Sequence, residues 1–259
     1  MITVNTIPAF SDNYIWAISD EEQSYYAIVD PGDAKPVLDF LKEKDGVLVA
    51  ILITHHHVDH TGGINKLLQH YPETPVYGPA MERIRYCTAA LEQDDNVVIP
   101  EIDASFKVMF VPGHTAGHIA FYTEGSLFCG DTLFANGCGR VFDGTLPALY
   151  HSLGKIAKLP PDTLIYCAHE YTLDNIGFAL WVEPDNLDLL KRQAQTHVLI
   201  DNDEPSVPST LELELKTNPF LRCHEVDVVD AAEKVAKKNL SSGVEVFKVL
   251  RTWKDTQYD

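Results

Sequence analysis

The sequence has no apolar run near the ~20 residues needed to cross a bilayer, so no helical membrane span is expected. The stretch Met1 to Phe10 has neither a basic start nor a long apolar core. No signal peptide is therefore expected, and the expected location is the cytoplasm. Basic residues are scarce: 20 Lys and Arg face 38 Asp and Glu, for a formal net charge of −18. That balance disfavours nucleic acid as a partner, because phosphate binding needs a basic surface. A small anionic substrate would need a local basic pocket. Cysteine is sparse too: Cys87, Cys129, Cys138, Cys167 and Cys223, an odd count without a C-x-x-C pair. This argues against a disulfide framework or a structural zinc ribbon. Cys129 and Cys167 lie in apolar runs and read as small buried residues. No internal repeat suggests a solenoid.

Histidine, by contrast, is concentrated. Thr54-His55-His56-His57-Val58-Asp59-His60 follows the continuous apolar run 47–53 and precedes Gly62-Gly63 and an amphipathic stretch, 64–70. The order strand, histidine-rich turn, helix puts the cluster at the carboxyl end of a buried strand, where α/β folds place their chemistry. In an extended segment His55, His57 and Asp59 would point to one side, with His60 facing elsewhere. One loop could then offer His55 and His57 to one metal, and Asp59 and His60 to a second. Imidazole with carboxylate suits Zn, Fe or Mn. Clustered histidines without a purpose are costly, since protonated neighbours repel and neutral ones need partners.

The same arrangement recurs along the chain. Strands are expected at 2–7, 14–18, 25–29, 75–78, 106–111, 119–123, 127–129 and 163–168. Helices are expected at 34–44, capped by Asp33 with Pro36 in its first turn, and at 146–158; residues 81–91 read as helix or loop. The strand ends leave His114, Asp131 and His169 in turns, a complete set for two metal sites with one carboxylate over. Beyond residue 171 strand runs vanish, and 187–200, 227–238 and 244–254 read as helices. The chain thus reads as a catalytic α/β part followed by a smaller helical appendage.

The set His55-x-His57-x-Asp59-His60, then His114, Asp131 and His169, resembles the metallo-β-lactamase superfamily. Gly137-Cys138-Gly139-Arg140, His169-Glu170-Tyr171-Thr172, Asn218-Pro219-Phe220-Leu221-Arg222 and Arg251-x-x-Lys254 resemble the glyoxalase II family within it, over essentially the whole chain. The resemblance implies an α/β (α+β) fold, the αββα metallo-β-lactamase sandwich with a C-terminal helical domain. Its parts would be a catalytic domain at 1–170 and a helical substrate-binding domain at 171–259. It implies two divalent metal ions, zinc in first place with iron or manganese as alternatives. His55, His57 and His114 would hold one, Asp59, His60 and His169 the other, with Asp131 bridging; Asp59 and Asp131 are the carboxylates of the catalytic machinery.

The implied reaction is hydrolysis of S-(2-hydroxyacyl)glutathione thioesters such as S-D-lactoylglutathione, by a metal-bridging hydroxide, as the second step of methylglyoxal detoxification. The thiolate leaving group, with an ordinary pKa of about 8.5, needs no strong general acid. Arg140, Phe142, Tyr171, Arg251 and Lys254 match substrate-binding positions. Relatives often carry Lys where Arg140 stands, and some carry Tyr where Phe142 stands, so Phe142 keeps the ring without the hydroxyl. Arg251 and Lys254, three apart in a helical stretch, would share one face. His56 and His118 are expected to support the site without binding metal; His70, His151, His197 and His224 read as ordinary residues. The chain is expected to act as a monomer, with neither nucleic acid nor membrane as partner. The nearest enzymatic alternative is a single-iron persulfide dioxygenase of the same superfamily. A lactamase, an RNA-processing nuclease and a non-catalytic binding module fit less well, the last because the ligand set is complete.

Overall fold

The computed structural model describes residues 2–123 and 125–258. By its internal contacts the chain forms two compact units. The first comprises Met1–Phe110 with Ala116–Gly130, the second Val111–Thr115 with Asp131–Asp259.

The first unit opens with β1 (Thr3–Ala9), β2 (Asn13–Ser19) and β3 (Tyr25–Val29), an antiparallel meander. Then come α1 (Ala34–Lys44), β4 (Val47–Leu52), α2 (Val58–Thr61), α3 (Ile64–His70), β5 (Val76–Pro79) and β6 (Ala89–Leu91). The six strands form one sheet in chain order, with β3 to β6 parallel. The helices follow from their ends. Asp33 accepts a hydrogen bond from Lys35 N–H at 2.9 Å to start α1, and Asp45 closes it in the left-handed region at φ 52°. Alternate strand residues Ile15, Ala17, Ile28 and Ile51 pack with Val37 and Leu41 of α1 and Ile64 and Leu67 of α3. The opposite set, Trp16, Ile18, Val29 and Ala50, is buried as well, so the sheet is covered on both faces. Each fully buried aliphatic side chain of this kind contributes about 1.5–3 kcal/mol. β7 (Asn96–Ile99), β8 (Ala104–Phe110), β9 (Ile119–Thr123) and β10 (Ser126–Gly130) pair antiparallel in succession.

Residues 81–91, read as helix or loop, form turns that lead into the three-residue β6. One expectation needs correction. The histidine loop is extended only as far as His57, whose extended backbone (φ −60°, ψ 149°) begins α2. Asp59 and His60 therefore sit on a helical turn, roughly 100° apart around its axis, and the alternation ends at His57. The Thr61 hydroxyl donates to His57 O at 2.9 Å and stabilises the turn.

The second unit contains β11 (Leu133–Phe134), β12 (Gly137–Cys138), α4 (Leu146–Ile156), β13 (Leu164–Cys167), α5 (Thr172–Val182) and α6 (Leu187–Asp201). It continues with β14 (Ser209–Thr210), α7 (Leu211–Thr217), α8 (Val226–Ala236) and α9 (Gly243–Trp253), which runs into a π-helical turn at Lys254–Tyr258. Its interior holds a buried polar network. Arg192 Nη2 donates to Glu214 Oε1 at 2.6 Å, and Arg192 Nη1 to Thr217 Oγ1 at 2.7 Å. Asn218 Nδ2 donates to Gly137 O at 2.9 Å, which ties the Asn218-Pro219-Phe220 segment to the loop before Arg140. Arg222 grips Glu183 with two bonds of 2.8 and 2.9 Å. Removing one partner of the buried Arg192–Glu214 pair costs about 3–5 kcal/mol, because the other charge is left uncompensated.

Cys129, Cys138, Cys167 and Cys223 are buried and Cys87 is half-buried, none in a disulfide. Burial pushes the Cys138 thiol up to about 11 and the Cys167 thiol up to about 12, so both stay protonated and unreactive at neutral pH. Among the described residues, no helix is long and apolar enough to cross a membrane.

Candidate metal centre

In the first unit, β4 delivers Thr54 and His55 to a buried position. Asp30, at the end of β3, organises them. Its Oδ1 accepts from Thr54 N–H at 2.8 Å, and its Oδ2 accepts from the Thr54 hydroxyl at 2.7 Å and from His60 Nδ1 at 2.9 Å. Because the Thr54 hydroxyl is spent on Asp30, its oxygen accepts from His55 Nδ1 at 3.0 Å. Both imidazoles are thereby held in the tautomer that presents Nε2 as a lone pair, the form that binds metal. Asp30, His55 and His60 offer polar atoms within 4.8 Å of one another, and hydrogen bonds account for that grouping. Asn13 Nδ2 donates to Asp59 Oδ2 at 3.2 Å. Gly32 makes room for α2: a Cβ there would stand 1.7 Å from Asp59 O.

The second unit carries His114, Asp131 and His169, at most 6 % exposed. His114 Nδ1 donates to Arg140 O at 2.7 Å, again leaving Nε2 as the lone pair. The Asp131 carboxylate lies between the two histidines, its Oδ2 at 3.4 Å from His114 Nε2 and its Oδ1 at 3.4 Å from His169 Nε2. Phe142 meets the His114 ring edge-on at 5.2 Å. Tyr171 stacks on His169 at 4.8 Å and 7°, and Phe134 abuts His169 at 5.7 Å and 89°. Aromatic contacts thus add to the restraints on both rings.

The donor separations test whether these residues fit a metal. Two ligand atoms on a tetrahedral ion at about 2.0–2.1 Å lie roughly 3.3 Å apart. His55 Nε2 and His57 Nδ1 are 3.1 Å apart, and His60 Nε2 and Asp59 Oδ2 are 3.4 Å apart. With the two Asp131 contacts, four neighbouring donor pairs have the spacing of a coordination shell. The chemistry and geometry suit divalent metal ions.

The expected substrate residues all lie in the second unit and differ in exposure. Arg140, Phe142 and Tyr171 are exposed. Arg251 and Lys254 are only 2 % and 5 % exposed. Arg251 Nη1 donates to Cys138 O at 3.0 Å and Nη2 to Asp255 Oδ1 at 2.8 Å, with the guanidinium 5.4 Å over Phe220. The same Asp255 oxygen accepts from Arg140 Nε at 3.1 Å. Lys254 Nζ pairs with Asp174 at 3.1 Å. Sequence reasoning missed Asp30, Asn13, Phe134, Asp174 and Asp255 as partners of these groups. Only Asp30 left a signal, an acid in the turn that follows a strand.

Residues 13–169 match the metallo-β-lactamase superfamily, and residues 170–257 match the hydroxyacylglutathione hydrolase C-terminus. A hydroxyacylglutathione hydrolase of Nitrosomonas europaea is 47 % identical over 98 % of this chain and 96 % of its own. One of Alkalilimnicola ehrlichii is 50 % identical over 98 % of this chain and 99 % of its own. This chain belongs to the hydroxyacylglutathione hydrolase family. It has the family's α+β metallo-β-lactamase fold, with the helical C-terminal part expected from the sequence. At the level of fold it is similar to the crystal structure of ETHE1 from Myxococcus xanthus (TM-score 0.68, 20 % identity, 99 % of this chain and 93 % of that one). It is likewise similar to the BLEG-1 B3 metallo-β-lactamase (TM-score 0.62, 22 % identity, 85 % and 99 %).

Proposed function

We propose that this hydroxyacylglutathione hydrolase family member hydrolyses S-(2-hydroxyacyl)glutathione thioesters, S-D-lactoylglutathione among them, to glutathione and a 2-hydroxy acid, as the second step of methylglyoxal detoxification. The observation that carries the reading is full-length similarity to the family, 47–50 % over 98 % of the chain, spanning both the metal-binding part and the hydroxyacylglutathione hydrolase C-terminus. In this reading residues 1–170 carry the chemistry and 171–259 bind substrate. The enzyme works as a cytoplasmic monomer, and its five thiols, none in a disulfide, support that location.

His55, His57 and His114 would hold one divalent ion and Asp59, His60 and His169 a second, with Asp131 shared between them; zinc is the first choice. When bound, such a pair acidifies a shared water and polarises the thioester carbonyl. The protein's own contribution is orientation. Asp30, Thr54 and the Arg140 carbonyl fix three imidazole tautomers. Asn13 steadies Asp59, and Tyr171 and Phe142 pack on His169 and His114.

Arg140, Phe142, Tyr171, Arg251 and Lys254 form the peptide end of the site. A glutathione thioester carries two carboxylates, and a protein at −18 repels them unless cations are placed locally. Arg251 and Lys254 are already paired with Asp255 and Asp174, so gripping substrate means exchanging those carboxylates for the substrate's. A hydrogen bond to a charged group contributes about 1.5–3 kcal/mol. Arg251→Ala or Lys254→Ala should therefore lower kcat/KM for the glutathione thioester by roughly 10- to 100-fold. A short thioester without the peptide should be hydrolysed almost as before. Equal losses on both substrates would mean that these residues support the fold or the metal centre instead.

The test of the function itself is hydrolysis of S-D-lactoylglutathione by the purified protein, with metal analysis on the same sample. Turnover without oxygen and two ions per chain are expected. A single iron with oxygen uptake on a persulfide would favour the dioxygenase reading.

A further inference from the structure

Glu82 lies in the stretch 81–91, which carried no clear signal in the sequence, and it has a buried side chain, 5 % exposed. Its carboxylate meets three N–H donors. Oε2 accepts from His56 N–H at 2.7 Å and from His56 Nδ1 at 2.8 Å, and Oε1 accepts from Gly117 N–H at 3.0 Å. His56 stands between two candidate ligands, His55 and His57. Gly117 precedes His118, whose ring stacks on His55 at 4.7 Å and 19°. One carboxylate thus holds the middle of the His55–His57 segment from its backbone and its side chain, and on its other oxygen the segment that carries the ring against His55. Gly117 is fitted to this contact, since a Cβ there would lie 2.4 Å from Glu82 Cγ.

We propose that Glu82 is a positioning residue for the metal centre, acting through His56 and Gly117 to hold His55 and His57 at the spacing a metal ion requires. The three hydrogen bonds offset the desolvation of the buried carboxylate, and they join two segments, at His56 and at Gly117, that both adjoin His55 or its stacking partner. His55 Nε2 and His57 Nδ1 lie 3.1 Å apart, and Glu82 holds the peptide between them at His56 N–H. The inference rests on the metal-centre reading and adds a residue that ligates nothing.

The experiment is chelator competition with zinc on the full chain, comparing wild type, Glu82→Ala and His56→Ala, with circular dichroism and metal-free Tm recorded on each. Removing a residue that orients metal ligands typically costs about 10- to 100-fold in affinity, and that loss is expected for Glu82→Ala in a protein that keeps its secondary structure. His56→Ala, which removes the imidazole bond but leaves both backbone bonds, should lose affinity in the same direction by a smaller factor. If Glu82→Ala lowers the metal-free Tm while zinc affinity stays at the wild-type value, Glu82 serves the fold alone and the proposal falls. If Glu82→Ala does not fold, His56→Ala decides, and unchanged affinity there overturns the proposal. A wild-type protein that binds no zinc, iron or manganese would instead sink the metal-centre reading.

Discussion

Asp131→Ala should lose at least one metal ion per chain and about 10³-fold or more in turnover. The expectation follows from its two oxygens, each 3.4 Å from the Nε2 of a different histidine. Metal acting on the reacting carbonyl is worth several kcal/mol, and each 1.4 kcal/mol is a factor of ten. Losing one ion of a pair therefore removes several powers of ten. Metal analysis and kcat on S-D-lactoylglutathione should be measured on the same preparation. A variant that keeps both ions would refute the bridging role, whatever its activity.

The second large effect concerns which histidines matter. His55→Ala, His114→Ala and His169→Ala should each reduce kcat/KM by about 10²-fold or more through loss of a metal ligand, while His224→Ala should leave it within twofold. His55 and His114 have Nδ1 committed to Thr54 and the Arg140 carbonyl, and His169 lies under the Tyr171 ring. His224 is 77 % exposed in its side chain and meets only Glu225 at 3.4 Å. Steady-state kinetics across the four variants, with metal content, checks the assignment. Equal losses, or a normal metal content in His114→Ala, would show that the ligands have been wrongly chosen.

The charge balance sets a constraint on substrate binding that the structure sharpens. One oxygen of Asp255 serves both Arg140, at the surface, and Arg251, in the interior. The two guanidinium groups are held together by a carboxylate of the protein, which keeps like charges in one place before substrate arrives. Burial of Arg251 over Phe220 also gives it a packing role, so its removal should lower Tm as well as kcat/KM.

Much of this was legible in the sequence because the information is local. A β-branched run ending in histidines announces a strand with ligands at its carboxyl end, and it does so within seven residues. α1 was legible to the residue, since its cap Asp33, Pro36 in its first turn and the apolar stripe are all local to it. The placement of His114, Asp131 and His169 in turns after apolar runs was equally plain. The geometry of the ligand loop was not: period-two alternation predicted Asp59 beside His57, whereas the chain turns helical at Val58. α5 was missed because TLDNIGFALWV is apolar nearly all round and shows no stripe, and β11, β12 and β14 are two residues each. Only the tertiary structure decided which nitrogen His60 and His114 offer, because the groups that fix it come from distant parts of the chain. Asp30 is 30 residues from His60, and Arg140 is 26 from His114. The helical spacing of Arg251 and Lys254 put them on one face. It could not say that the face would be buried and its charges met by Asp255 and Asp174, because burial depends on what packs against a helix and not on the helix itself.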